Sequence, residues 1–150
     1  MIRRYGEPVR TGQRYKMRPG AYAILLDGHS LLTTFQSDPL PELQLPGGGI
    51  DPGEHPIPAL HREVLEETGY AISAPRRLGA FRRFTFMPEY KLWAEKLCHI
   101  YIARPVVRRD VDLEEGHSAV WMSPVDAAQR LGNAGDRAFV KAFFFGSKSP

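Results

Sequence analysis

The sequence predicts an α/β fold, an α/β/α sandwich with helices on both faces of a mixed β-sheet. Three observations carry this. Apolar runs of strand length stand both before and after the helical segments, in mixed order, which suits a mixed sheet covered by helices. The 150 residues fit one domain, 1–150, large enough to bury a sizeable core without staples. No internal repeat, low-complexity tract or domain linker interrupts the chain.

Taken in order, residues 1–20 are rich in Arg, Gly and Pro with little periodicity, and read as an arm or short strand leading to Pro19-Gly20. Ala21 to Leu26 is a short apolar strand. Asp27-Gly28 signals a hairpin into a second strand, Leu31 to Gln36, although His29 and Ser30 make the expected loop longer than two residues. Ser37 to Glu42, with Pro39 and Pro41, is a loop; Leu43 to Leu45 is a brief strand running into Pro46 and three glycines. A helix starts near Ile57 or Pro58, because proline is tolerated in a first turn and not later. Gly69 stands where its C-terminal cap is expected. Leu60 and Val64, with Leu65, form the inward face of this helix. Leu78 to Phe86 and Leu97 to Ala103 are strands, separated by a loop or widened turn over Met87 to Lys96. Ala119 to Met122 is a further short strand; Pro124 to Leu131 and Asp136 to Phe145 are helices, the last ending at Gly146.

Composition narrows the function classes. A hydrophobic share of 43% and a charged share of 25% are ordinary for a globular protein in water. One cysteine, Cys98, rules out an intramolecular disulfide framework and suits a reducing compartment. No apolar run has the length of a membrane span, and Met1-Ile-Arg-Arg-Tyr-Gly-Glu lacks the apolar core of a signal peptide, so a cytoplasmic location is expected. A net charge of +3 favours polyphosphate substrates by steering. The basic residues are too few and too scattered to support nucleic-acid binding.

The chemistry concentrates between Gly48 and Tyr70. Gly48-Gly-Ile-Asp-Pro-Gly-Glu54 is followed, after seven residues, by Arg62-Glu-Val-Leu-Glu-Glu-Thr-Gly-Tyr70. Glu63, Glu66 and Glu67 occupy offsets zero, three and four of one helix, so their carboxylates point into one wedge of space. Like charges at that spacing cost a few tenths of a kcal/mol per pair. A hard divalent cation with oxygen ligands is the economical compensation.

The pattern Gly-x5-Glu-x7-Arg-Glu-U-x-Glu-Glu-x-Gly-U, with U a bulky apolar residue, resembles the signature of the Nudix hydrolases at every fixed position: Gly48, Glu54, Arg62, Glu63, Glu66, Glu67 and Gly69. Val64 fills the first U and Tyr70 the second, where an aliphatic residue is commoner. Seven specified residues at roughly 7% background each coincide by chance on the order of once in 10⁸ starting positions. The resemblance implies the α/β/α sandwich of that family. It also implies a metal-dependent hydrolase that breaks a phosphoanhydride in a nucleoside diphosphate linked to another group: a nucleoside triphosphate, a nucleotide sugar or a dinucleotide.

By the same resemblance, Glu63, Glu66 and Glu67 bind one or more Mg²⁺ or Mn²⁺ ions, and the backbone at Gly48 comes close to metal or phosphate. Metal between carboxylates and pyrophosphate inverts the sign of the local field and neutralises charge as water attacks phosphorus. Arg62, four residues before Glu66 and within reach of Glu54 if the loop folds back, orients carboxylates rather than touching substrate. Relatives differ in the general base: a box glutamate, or a glutamate on a loop toward the C-terminal end. Glu114 and Glu115 occupy such a loop here, where two exposed loop acids are the competing reading. His117 and His99 are weaker candidates for either role, with an ordinary surface or strand histidine as the default for each.

Substrate contacts must come from outside the box. Tyr22, Arg82 and Arg83 are the selected candidates. Phe35, Phe81, Phe84, Trp93, Tyr101 and Trp121 are further aromatics for base stacking, and Lys91, Arg14 and Arg18 further cations for phosphate. Thr85, Pro88 and Tyr90 do not match the spacing rules that sort ADP-ribose or dinucleoside polyphosphate branches, and the coenzyme A and NADH signatures are absent. The expected partner is a small nucleotide, with no membrane. A homodimer that exchanges the N-terminal arm stays open. The competing function is a non-catalytic nucleotide-binding or regulatory module of the same family, which the retention of every box glutamate disfavours. RNA 5′-end processing is a third, left open but not specifically supported by Arg3, Arg4, Arg10, Arg14 and Arg18.

Overall fold

The computed structural model describes residues 1–146, so the last four residues of the expected domain lie outside the described part. In chain order the elements are β1 (Arg3–Arg4), β2 (Lys16–Asp27), β3 (Ser30–Gln36), β4 (Glu42–Gln44), β5 (Gly47–Gly49), α1 (Pro56–Thr68), β6 (Tyr70–Ile72), β7 (Arg76–Met87), β8 (Leu92–Ala103), β9 (Pro105–Arg108), β10 (His117–Met122), α2 (Pro124–Arg130) and α3 (Ala134–Phe145). One mixed sheet runs in the order β1-β7-β8-β2-β3-β10, with β4 beside β3 and β5 beside β2. β2 lies parallel to β8 and antiparallel to β3 and β5. β6 and β9 form a separate antiparallel pair.

The two-residue alternation of β2 divides the core. Ala21, Ala23 and Leu25 pack with Leu60 and Val64 of α1. Ile24 between them packs with Phe81, Ile100, Leu131, Phe139 and Val140 on the side of α2 and α3. A strand buried on both faces must be apolar at successive positions, and Ala21 to Leu26 is. The predicted α/β/α sandwich is the observed architecture.

Helix ends follow local chemistry. α1 begins at Pro56, one or two residues before the expected start, and places Pro56 and Pro58 where a helix has no use for their missing N–H groups. It stops at Gly69, which is left-handed at φ 79° and donates its N–H to Leu65 O at 2.9 Å. Ser123 Oγ and Asn133 Oδ1 cap α2 and α3 by accepting from Asp126 N–H (3.1 Å) and Asp136 N–H (2.7 Å).

Four expectations change. Residues 1–20, expected as an arm or short strand, hold β1 and the start of a longer strand: Lys16 to Gly20 belongs to β2, paired with Ala94 to Cys98 of β8. The β2–β3 loop has two residues, because Asp27 pairs with Ser30 across Gly28 and His29. The region Met87 to Lys96 is mostly strand; only residues 88–91 turn, and Leu92 to Lys96 pairs with Met87 to Arg83. Polar Glu95 and Lys96 hid that strand from the apolar pattern. β5, β6 and β9 were not anticipated. Three glycines carry no side-chain signal, and β5 exists because β2 holds it at Ala21↔Gly48.

Candidate active site

α1 sets three carboxylates along a gradient of burial. Glu67 is buried, with its side chain 5% exposed, Glu63 is mostly covered and Glu66 is about half exposed. Burial is the main cause that pushes Glu67 well above the usual carboxylate range, opposed by the hydrogen bond from Gly47 N–H to Oε1 at 3.0 Å and reinforced by Glu63, Glu114 and Glu66. Burial also raises Glu63, against the pull of Arg62. Both carboxylates are costly as anions where they stand, and a cation bound among them would offset that cost.

β5 brings the backbone to these groups. Gly47 has φ +145°, and a Cβ there would meet Ala21 O at 2.1 Å, so only glycine fits. At Gly48 a Cβ would stand 2.4 Å from Glu63 Oε2, because the carboxylate lies directly over the backbone.

Arg62 gathers the acids of the segment. Its Nε and Nη2 donate to the two oxygens of Glu54, each at 2.9 Å, its Nη1 to Glu63 Oε1 at 2.9 Å, and Nη2 also to Gly49 O at 3.2 Å. Glu66 stands 3.6 Å from Nη1. The forked hydrogen bonds with Arg62 hold Glu54 down to about 2. Glu54 is thereby tied to Arg62 rather than placed among the other carboxylates.

The loop before β10 closes the site from a distant part of the chain. Arg109 N–H donates to Gly69 O and Glu114 N–H to Glu66 O, each at 2.7 Å, which fastens the loop to the C-terminal end of α1. Ligand atoms of Glu63, Glu66 and Glu114 lie within 4.8 Å of one another, and so do those of Glu67, Glu114 and His117. The two groups share Glu114. A set of four carboxylates, two of them raised by burial, fits a hard divalent cation such as Mg²⁺ or Mn²⁺.

A cavity of 360 Å³ opens on these groups. Glu63, Glu67, Glu114, Glu115, His117 and Gly48 line it, as do Tyr22, Arg83, Cys98, Asn133 and Asp136. Tyr22 and Cys98 are both raised by burial, the thiol to about 12, so neither is an anion at neutral pH. Arg82 is not brought to the site. It points to the opposite face of β7 from Arg83 and meets Glu95 at 3.7 Å. Phe81 and Tyr101 are core, Phe84 and Trp93 pack around Tyr15, and Trp121 packs edge-on against Tyr70. Of the aromatics considered for stacking, Tyr22 alone lines this cavity. Arg18 lies over the Tyr90 ring at 4.5 Å and lines an adjoining cavity of 600 Å³ with Lys16 and Lys96. Arg14 and Lys91 line neither, and His99 is a half-buried strand residue whose pKa burial lowers.

Sequence reasoning ranked His117 below the loop glutamates and did not foresee Asn133 and Asp136 as cavity residues. The Asn-x-x-Asp spacing at 133–136 is an N-cap signal that would have located the α3 start. Nothing local marks His117, which reaches Glu67 only through the pairing of β10 with β3.

The family model for the NUDIX domain matches residues 16–143. A putative 8-oxo-dGTP diphosphatase of Bacillus subtilis (strain 168) is 36% identical over 74 residues, 49% of this chain and 50% of that protein. The chain thus matches about half the length of that relative. An RNA pyrophosphohydrolase of Helicobacter pylori (strain G27) is 69% identical over 26 residues, 17% of each chain. Among solved structures, a NUDIX hydrolase from Nitrosomonas europaea superposes with a TM-score of 0.73 at 21% identity, covering 90% of this chain and 93% of that one. A MutT protein from Methanosarcina mazei Go1 gives 0.69 at 22% identity, covering 89% and 97%. At such identities the likeness is one of fold.

Proposed function

The chain belongs to the NUDIX family, and from that premise we propose that it is a pyrophosphohydrolase that hydrolyses a nucleoside triphosphate to the monophosphate and pyrophosphate, using Mg²⁺ or Mn²⁺. The observation that carries this reading is the pair of ligand groups sharing Glu114, opening on one cavity with Asp136 and Asn133. A divalent cation held there would neutralise the phosphates and polarise the attacked phosphorus.

The chain's own residues divide the remaining work. Glu63, Glu66 and Glu114 would hold a cation, with Glu67 and the Gly48 backbone beside them, and Arg62 and Glu54 position Glu63. Glu66, Glu114 and Glu115 carry no short side-chain hydrogen bond among the described residues, and whichever of them the cation does not engage can take the proton of the attacking water. Glu115 lines the same cavity. Arg83 neutralises a non-reacting phosphate oxygen. The nucleobase sits toward Tyr22, Asn133 and Asp136, where Asp136 keeps one carboxylate oxygen beyond the hydrogen bond it accepts from Leu45 N–H at 3.3 Å. The Bacillus relative bears the name of a putative 8-oxo-dGTP diphosphatase, which favours the triphosphate over the nucleotide sugar. No described helix is long and apolar enough to cross a membrane, and Cys98 is buried and free; we place the protein in the cytoplasm.

The test is a substrate panel with Mg²⁺ or Mn²⁺, comprising the nucleoside and deoxynucleoside triphosphates, 8-oxo-dGTP, nucleotide sugars and dinucleoside polyphosphates. Pyrophosphate is read through inorganic pyrophosphatase, and newly exposed monoesters through alkaline phosphatase. Pyrophosphate released from one or a few triphosphates is expected. Cleavage confined to nucleotide sugars or dinucleotides overturns the triphosphate reading.

A further inference from the structure

One nitrogen donor stands among the carboxylates, and its setting is not that of a surface histidine. His117 opens β10, whose pairing with β3 holds it opposite Gln36. Its side chain is 10% exposed and lines the same cavity as Glu63, Glu67 and Glu114. Nδ1 lies 3.3 Å from Oγ1 of Thr34, a residue fully buried in β3. Nδ1 is also 3.4 Å from Glu67 Oε2, and Nε2 is 3.5 Å from Glu114 Oε2.

Those separations decide between two readings of the cluster. A charge-assisted N–H···O bond closes to about 2.7–2.9 Å, and neither imidazole–carboxylate contact does. Two donors bound about 2.0–2.2 Å from one ion stand about 3–3.5 Å apart, which is the spacing of Nε2 from Glu114 Oε2, and ligand atoms of Glu67, Glu114 and His117 all lie within 4.8 Å of one another. Metal-binding histidines are commonly oriented by a hydrogen bond at the other ring nitrogen. Thr34 supplies that hydrogen bond at Nδ1 and leaves Nε2 turned toward Glu114.

We infer that Nε2 of His117, with the carboxylates of Glu67 and Glu114, forms a second metal position beside the all-oxygen group of Glu63, Glu66 and Glu114, and that its nitrogen donor selects a first-row transition ion such as Mn²⁺ over Mg²⁺. Magnesium takes oxygen ligands and keeps its waters, whereas imidazole suits the transition ions. Glu114, common to both groups, places the two positions side by side. The inference rests on the metal-dependent reading above and adds to it the ligand that sets metal preference.

The deciding experiment uses the metal alone. Mn²⁺ is titrated into the full chain by calorimetry, and the loaded protein is examined by electron spin echo modulation. Wild type should show ¹⁴N modulation from a coordinated imidazole. In His117→Gln that modulation should vanish and Mn²⁺ affinity should fall about 10–100-fold, with Mg²⁺ affinity little changed. Bound Mn²⁺ with proton modulation only, or ¹⁴N modulation that survives in the variant, overturns the assignment while leaving metal dependence standing. Failure of wild type to bind Mn²⁺ at all overturns both. The wild-type spectrum decides the nitrogen ligand even if the variant does not fold.

Discussion

Asp136→Asn tests whether the inner wall of the cavity is understood. Asp136 sits in the first turn of α3, 3% exposed, with Leu45 N–H as the donor to Oδ2. Burial raises it from 3.8 to about 6, and the opposing pulls of Leu45, Arg83 and Lys96 outweigh the push from Glu42 without cancelling burial. The folded state therefore binds this proton more tightly than the unfolded chain. Stability must fall as pH rises through the window from about 4 to 6, and the full penalty is present above it. A rise of about two units corresponds to about 3 kcal/mol at neutral pH. Asparagine keeps the shape and an oxygen for Leu45 N–H, and removes the charge. Part of the gain is lost in finding partners for the new NH₂ group, so a net stabilisation of about 1–3 kcal/mol is expected at about pH 7.5, shrinking toward zero near pH 4. Urea denaturation of both proteins at the two pH values, in chelator, measures it, and the difference between variant and wild type cancels the other carboxylates. An equal difference at both pH values, or a variant less stable at the higher one, refutes the argument. Substrate affinity should move the other way: if the nucleobase meets this carboxylate, KM rises in the more stable protein.

Glu67→Gln keeps an acceptor for Gly47 N–H but removes a ligand charge, so kcat should fall by at least about 10²-fold while the metal-free melting temperature does not drop; an unchanged rate would remove Glu67 from the metal site. Gly47→Ala forces a methyl to within 2.1 Å of Ala21 O at φ +145°, for a cost of roughly 3–5 kcal/mol by denaturation. A loss below about 1 kcal/mol would mean that β5 relaxes freely. Arg83→Ala should raise KM for the nucleotide about 10-fold or more, as expected for a lost charge-assisted contact, and Arg82→Ala should leave it unchanged. Equal effects in steady-state kinetics would show that strand face does not govern substrate contact.

Much of the site was readable because it is local. Glu63, Glu66 and Glu67 share a helix face by the geometry of 3.6 residues per turn, Gly69 ends that helix because it alone tolerates the left-handed cap, and the prolines mark its start. None of this needs a tertiary partner. The same holds for the three-layer fold, since an apolar run such as Ala21 to Leu26 must be covered on both faces wherever it lies.

Tertiary structure decided the rest, because side-chain pattern does not encode register or long-range pairing. Arg82 and Arg83 are adjacent and chemically equal; only the pleat of β7 against β8 sends one into the cavity and the other to Glu95. Leu92 to Lys96 becomes a strand because β7 and β2 offer it two partners, despite its polar residues. Glu114 and His117 lie about fifty residues beyond Glu67, and they meet it only because β10 pairs with β3 and the loop before it bonds to the end of α1. The sequence by itself determined which helix carries the three clustered carboxylates, since those contacts are set within one turn. Which groups complete the site was left to the folded sheet, where hydrogen bonds between strands distant in the chain choose each residue's face and neighbours.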